Sequence, residues 1–343
     1  MNNTISVVIV TYKRPDDLKN CLQTVLKQTL LPQEVFVIDN AKDSATKNLV
    51  EGKSNDFKKK GVALNYIPNT REDSLMTARN LGAELSSGSF VSMVDDDLLL
   101  DRDYHKEIMR VFNTYPKALG VQGYCQTTKE AHPTTKKRGI KERVLDLYGR
   151  VFQASVLLEK NSCKVLPSLA VTYPYPSIKK VINCQWLAGG AAVYKREALQ
   201  EFPFDENLKR FAWGFDQEHP YLIFKKYPES LFLTPFAKWW DNASPKGRLM
   251  PKELFYMMEV YELYVFYKII DQTLGNKLRY LWRRGGQLFF RRVLFNLITL
   301  GRGNPRIGFL KMRYALGAAW YAFINRKKIK KGDLTFFNKN LTS

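Results

Sequence analysis

Cysteine and histidine are scarce in this chain, and neither forms a metal-binding spacing. The four cysteines, Cys21, Cys125, Cys163 and Cys184, lie far apart with no CxxC pair. Such usage predicts reduced structural thiols in a cytoplasmic protein rather than a disulfide framework. None of the three histidines sits in an HxH or HxxxH pair, which argues against zinc. No run reaches the ~18 uninterrupted apolar residues of a membrane-spanning helix. The strand-like Ile5–Tyr12 follows Met1 so closely that no secretory leader is expected. There is no internal repeat and no glycine-rich phosphate loop beside the first strand. With 45% hydrophobic and 13% aromatic residues, the 343-residue chain is not disordered and can bury a core large enough for two domains.

Acidic residues are nearly absent from the C-terminal region. From Lys277 to Ser343 there are 16 Lys/Arg against the single acid Asp333, a net +15 that leaves +6 for the other 276 residues. A balanced body with a basic end predicts a polyanionic partner, either nucleic acid or anionic lipid. Phe309, Met312, Leu316, Trp320 and Phe323 recur at helical spacing beside Lys311, Arg313 and the run 326–331. The pairs Arg283-Arg284 and Arg291-Arg292 interrupt further apolar residues. This pattern suits a helix lying in a membrane interface. The same stripes would also serve ordinary helix packing or association between copies. Residues 251–343 are therefore expected to form a helical, basic, membrane-associating module, separate from a domain over 1–250.

The first part alternates in period. Ile5–Tyr12, Glu34–Asp39, Val62–Ile67 and Ser89–Val94 read as strands, while Pro15–Lys27 and Ser74–Leu85 read as helices. That alternation predicts a mainly parallel sheet flanked by helices, with ligands at the carboxyl ends of the strands. Thr11-Tyr12, Asp39-Asn40 and Asp95-Asp96-Asp97 all fall at those ends. Three consecutive carboxylates after a buried strand call for compensating charge, and hard oxygen ligands suit Mg²⁺ or Mn²⁺. A solvated acidic loop is the other reading of a lone triplet. From Cys125 to Lys180 the pattern predicts loops and short elements. Gln185–Tyr194 carries Gly189-Gly190, which permits close backbone approach.

With these residues in place, the chain resembles the family 2 glycosyltransferases, inverting enzymes of the GT-A nucleotide-sugar fold. The likeness runs over about residues 5 to 245. It rests on Ser6–Pro15, on Val37-Ile38-Asp39-Asn40, and on Ala78-Arg79-Asn80-Leu81-Gly82 with Gly88 and Val94–Asp97. Phe204-Asp205-Glu206 and Trp213–Glu218 complete it. The resemblance implies that Thr11, Tyr12, Asp39, Asp95 and Asp96 bind the donor, and the positive charge of Arg14 and Arg79 suits its phosphate or base. Asp97, with Asp95, would hold Mn²⁺ or Mg²⁺. Asp216 would be the catalytic base, with Glu218 as its competitor, and Trp213, Gly189, Gly190 and Glu218 would face the acceptor.

Two departures from the family pattern stand out. Phe215 replaces the usual Glu before the base, and Lys238–Asn242 lacks the usual His, so Asp241 is the candidate substitute. The implied reaction moves a sugar from a UDP-sugar, or a dTDP-sugar, to a glycan or lipid-linked glycan. The enzyme would be peripheral on the inner face of the cell membrane. A nucleic-acid-binding protein and a nucleotidyltransferase are the alternatives. No nucleic-acid motif accompanies the basic region, and the missing phosphate loop weighs against nucleotidyl transfer.

Overall fold

The computed structural model describes residues 4–126, 147–154, 156–175, 178–242, 251–289 and 305–339. In chain order the elements begin β1 (Ile5–Thr11), α1 (Pro15–Leu26), β2 (Glu34–Asp39), α2 (Ser44–Lys58), β3 (Ala63–Pro68) and α3 (Leu75–Leu85). Next come β4 (Phe90–Asp95), β5 (Leu98–Leu100), α4 (Tyr104–Thr114), β6 (Gly120–Cys125) and α5, over 147–152. They continue with β7 (Leu157–Glu159), β8 (Thr172–Pro174), β9 (Ile182–Asn183), β10 (Ala191–Lys195), α6 (Arg196–Glu201), α7 (Phe215–Lys226) and β11 (Leu231–Asp241). The last are α8 (Pro251–Ile269), α9 (Leu274–Gly286), α10 (Pro305–Ile324), α11 (Arg326–Lys330) and α12 (Thr335–Asn338).

The chain divides into two compact units. The first comprises Met1–Thr134, Ser177–Phe211 and Phe215–Arg248, and the second Thr135–Pro176, Ala212–Gly214 and Leu249–Ser343. The sequence drew a single cut at 250, whereas this division groups Thr135–Pro176 with the C-terminal helices.

One sheet organises the first unit, in the order β3-β2-β1-β4-β10-β6-β11-β5, with β9 also on β11. Strands β3, β2, β1 and β4 are mutually parallel, while β10 runs antiparallel between β4 and β6. Strand β1 is buried at every position, as expected of a strand covered on both faces. Helix α1 begins on Pro15 with Asp16 and Asp17 in its first turn, and buries Leu18, Cys21, Leu22 and Val25. Helix α3 lies so close to β1 that a Cβ on Gly82 would overlap the Val8 side chain. The expected strands and helices of this region are found within a residue or two. The register aligns Thr11 with Asp39 and Val10 with Asp95, so the polar strand ends share one rim.

The second unit is built on α8. Helices α9 and α10 pack against it, and Tyr280 of α9 stacks on Phe266 of α8 at 4.0 Å between centroids. The region expected to be loops and short elements contains α5 and the parallel pair β7–β8. The polar run 134–138 and the pair Arg291-Arg292 lie outside the described residues.

Candidate active site

The three aspartates at the end of β4 are each held differently. Asp95 is half-buried and accepts from Arg79 Nη2 at 2.6 Å. Asp96 is buried and turned inward, accepting from Thr11 Oγ1 at 2.7 Å and from Arg14 Nη1 at 3.1 Å. Asp97 is half-buried, and its Oδ2 lies 3.2 Å from the same Arg14 nitrogen. Desolvation pushes Asp96 up to about 7; Arg14 and Thr11 oppose the shift, and the neighbouring Asp97 and Asp95 add to it. The single Arg14 guanidinium bridges two of these carboxylates in the way a cation would.

That arrangement fits a divalent ion with hard oxygen ligands. Asp97 and Asp95 are the two members of the triplet that present surface. Among the described residues no group of three His, Cys, Asp or Glu converges on a point. An ion here would fill its shell from substrate phosphate and water, which is the habit of Mg²⁺. Asp241 pairs with Leu98 across β11 and β5, and Asn242 N–H donates to the Asp97 carbonyl at 3.0 Å. Asp241 is thus the exposed acid at the strand end beside the triplet.

Asp39 is fully buried. Its oxygens accept from the N–H groups of Ala41 (2.9 Å) and Asp43 (3.0 Å) and from Tyr66 Oη (2.9 Å). These bonds fix the loop after β2, while desolvation raises the Asp39 pKa above its ordinary value. Tyr12 is half-buried, with the Lys13 ammonium 5.3 Å from its ring centroid.

Asp216 lies on the first turn of α7, far from the triplet in sequence but within its electrostatic reach. Desolvation holds its pKa up to about 6; Arg79 opposes the rise and Asp95 adds to it. Arg79 connects the two carboxylates. Its guanidinium carbon sits 4.6 Å over the Phe215 ring and 5.6 Å from the Phe204 ring, and it is almost completely buried. Phe215, the departure from the family pattern, is therefore the platform on which Arg79 rests. Glu218, two residues past Asp216, is 1% exposed, so Asp216 is the more accessible of the pair.

The glycine pair closes this cluster. A Cβ on Gly189 would overlap the Phe215 ring, and one on Gly190 would overlap the Asp95 carboxylate. Trp213 is half-buried and belongs to Ala212–Gly214, which group with the second unit.

The segment leading to α7 is strapped to α3 and to the loop before it. Asn80 donates to the Phe204 carbonyl at 2.9 Å and accepts from the Phe204 N–H at 2.9 Å. Leu75 N–H donates to the Arg210 carbonyl at 3.0 Å, and Arg210 pairs with Asp73 at 2.6 Å. Arg210 and Ala212 adopt φ of 54° and 50°, conformations that non-glycine residues enter at a cost. Sequence reasoning placed Asn80 and Phe204 in motifs but gave them no task. It missed Phe215 as a support, because a cation–ring contact has no spacing rule.

A sequence model of glycosyl transferase family 2 matches residues 6–202, more than half of the chain. The chain belongs to glycosyl transferase family 2. A glucosyl-dolichyl phosphate glucuronosyltransferase of Haloferax volcanii is 30% identical over 127 residues, covering 35% of this chain and 37% of the relative. The chain spans well under half the length of the curated relatives it matches, down to 17% for one of them. Among solved structures, residues 1–349 of Staphylococcus aureus TarS align at TM-score 0.52 and 14% identity, covering 95% of this chain and 83% of that one. The mannosyltransferase PcManGT of Pyrobaculum calidifontis, solved with GDP-Man and Mn²⁺, aligns at TM-score 0.52 and 15% identity, covering 98% and 87%. At such identities these structures speak for the fold, which is the GT-A fold expected from the sequence.

Proposed function

We propose that this family 2 member is an inverting, metal-dependent glycosyltransferase. It would move a sugar from a nucleotide-sugar, UDP-linked with dTDP as the alternative, to a hydroxyl of a glycan or lipid-linked glycan. The observation that carries the reading is that Asp216 directly follows Phe215, whose ring supports the Arg79 that pairs with Asp95, while burial holds the Asp216 pKa up to about 6. A carboxylate with that value is ionised at neutral pH and still basic enough to take a proton. Family membership favours this reading over nucleotidyl transfer and nucleic-acid binding.

Each residue has a task in it. Thr11, Tyr12, Asp39 and Asp96 would hold the nucleoside of the donor. Mn²⁺ or Mg²⁺ held by Asp97 and Asp95 would offset the charge developing on the leaving diphosphate. Arg14 supplies fixed positive charge to the same rim. Asp216 takes the proton from the acceptor hydroxyl as its oxygen attacks the anomeric carbon, and the electron pair of the broken bond goes to the phosphate oxygen. A single displacement inverts the configuration. Gly189 and Gly190 let the Phe215 ring and the Asp95 carboxylate lie directly against the backbone. A lipid-linked acceptor would put the reaction at the cytoplasmic face of a membrane.

PcManGT was solved with a GDP-sugar, and TarS has also been solved with UDP, so the nucleotide is the first quantity to measure. Nucleotide release should be followed with UDP-, dTDP- and GDP-sugars in the presence of Mn²⁺, and the product anomer read by NMR. Metal-dependent release of UDP with inverted configuration is expected. Retention of configuration would contradict the reading.

A further inference from the structure

Helices α9 and α10 of the second unit both leave large apolar side chains exposed. Helix α9 turns Arg283 and Arg284 inward, where they pair with Glu262 and Glu259. Its outer face carries Leu274, Leu278 and Leu281, each more than half exposed, and Trp282, which is 55% exposed although its ring stacks on Phe152 and its indole N–H donates to the Val151 carbonyl. These residues recur at i, i+4, i+7 and i+8, so they form one stripe. Helix α10 buries Ala315, Ala318 and Ala322, and its Gly317 faces Tyr256 of α8. Phe309, Trp320 and Phe323 are more than half exposed, and Leu316 is nearly so. The stripe expected either to pack or to meet lipid thus faces outward. Burying ion pairs and alanines while large apolar side chains stay in water forgoes the main hydrophobic contribution available to these helices. Exposed apolar faces of this size mark a partner surface.

The surrounding charge identifies the partner. Arg279, Lys311, Arg313 and the run Arg326–Lys330 are exposed apart from Ile329, and Arg326 lies 4.2 Å over the Phe323 ring. A second copy of the chain would bring equal positive charge against this face. An anionic surface would not. Among the described residues no helix is long and apolar enough to cross a membrane, so contact would be interfacial.

We propose that the outward faces of α9 and α10 form a docking surface for an anionic lipid bilayer. The proposal deepens the membrane-surface reading above and rests on it for location alone, since lipid binding is read without any sugar transfer. Arg283 and Arg284 take no part, because their charge is spent on Glu259 and Glu262.

Flotation of the full chain with phosphatidylglycerol-containing and pure phosphatidylcholine vesicles is the test. At physiological salt the protein should float with the anionic vesicles and stay behind with the neutral ones. The combined variant L278Q/L281Q/W320Q should lose at least tenfold in partitioning. K327Q/K330Q/K331Q should lose roughly 100-fold, at about fivefold for each of the three lysines near the surface. Quenching of tryptophan emission by brominated acyl chains gives a second readout on the unaltered protein. Absence of both flotation and quenching would overturn the proposal. So would a dimer that the stripe variant dissolves in protein that binds no lipid, since that assigns the faces to a second copy. Loss of transfer activity in a chain that still floats would bear on the enzymatic reading and leave this one standing.

Discussion

Arg79 donates to Asp95 at 2.6 Å while resting on the ring of Phe215, the residue immediately before Asp216. One buried guanidinium therefore sets the position of a carboxylate on the donor rim and the electrostatics of the proposed base. Its Nη1 is buried and has no hydrogen-bond partner among the described residues, which leaves a donor within this cluster. Replacing Arg79 with Met removes a positive charge that holds Asp216 ionised. The acid limb of the kcat–pH profile should move to higher pH, by about one unit, and turnover should fall by about tenfold or more. An unshifted limb would show that the two groups do not communicate.

The wild-type profile carries its own expectation. Asp216 must be ionised to accept a proton, and its pKa is held up to about 6. Activity should be flat near neutrality and fall by about tenfold per unit below pH 6. An acid limb below pH 4.5, the range of an ordinary carboxylate, would point to a different group.

The glycine pair gives a steric prediction. A methyl at Gly190 overlaps Asp95, and one at Gly189 overlaps Phe215, whereas a Cβ on Gly52 in α2 meets nothing within 4 Å. Gly190→Ala should lower kcat/KM by tenfold or more and cost about 1–3 kcal/mol in thermal unfolding. Gly52→Ala should leave activity unchanged and stabilise the helix by up to about 1 kcal/mol.

Metal dependence follows from the triplet. Excess EDTA should abolish transfer, and Mn²⁺ should restore it. Asp97→Asn should weaken donor binding measured calorimetrically with Mn²⁺ present. Full activity in EDTA would contradict the assignment of Asp97 and Asp95.

A stability prediction belongs to the second unit. Glu262 is buried between Arg283 and Arg284; desolvation would raise its pKa, but the two arginines hold it below the usual 4.5. A carboxylate lowered in the folded state contributes stability above the unfolded value, and that contribution is lost as pH falls through the folded one. Glu262→Gln should cost about 3–5 kcal/mol in urea unfolding near neutral pH. The difference between variant and wild type should shrink as pH drops below 4.5.

The sheet and its rim were legible because they are written in local pattern. The β-branched run of β1, the Pro15 start of α1 and the helix ending at Leu85 each follow from short-range rules. Helix α2 was not anticipated: only Thr46, Val50 and Phe57 are buried along its fifteen residues, so its apolar stripe is thin. Strand β10, antiparallel between parallel neighbours, follows from long-range pairing that no local pattern announces. At the site, the carboxylates could be named from their strand ends and from the family resemblance. Phe215 and Asn80 could not be given roles, because one acts through a ring face and the other by bonding to backbone 124 residues away. The arginines of α9 looked like lipid-facing charge in sequence, since the acids that neutralise them lie a helix away.

The central claim is that Asp216 removes the acceptor proton while the triplet holds the donor. Asp216→Asn keeps the shape of the site and removes the base. Donor affinity, measured by calorimetry with Mn²⁺, should stay within about twofold of wild type, while turnover falls by about 10² or more. Near wild-type turnover in that variant would contradict the account and move the base to another residue.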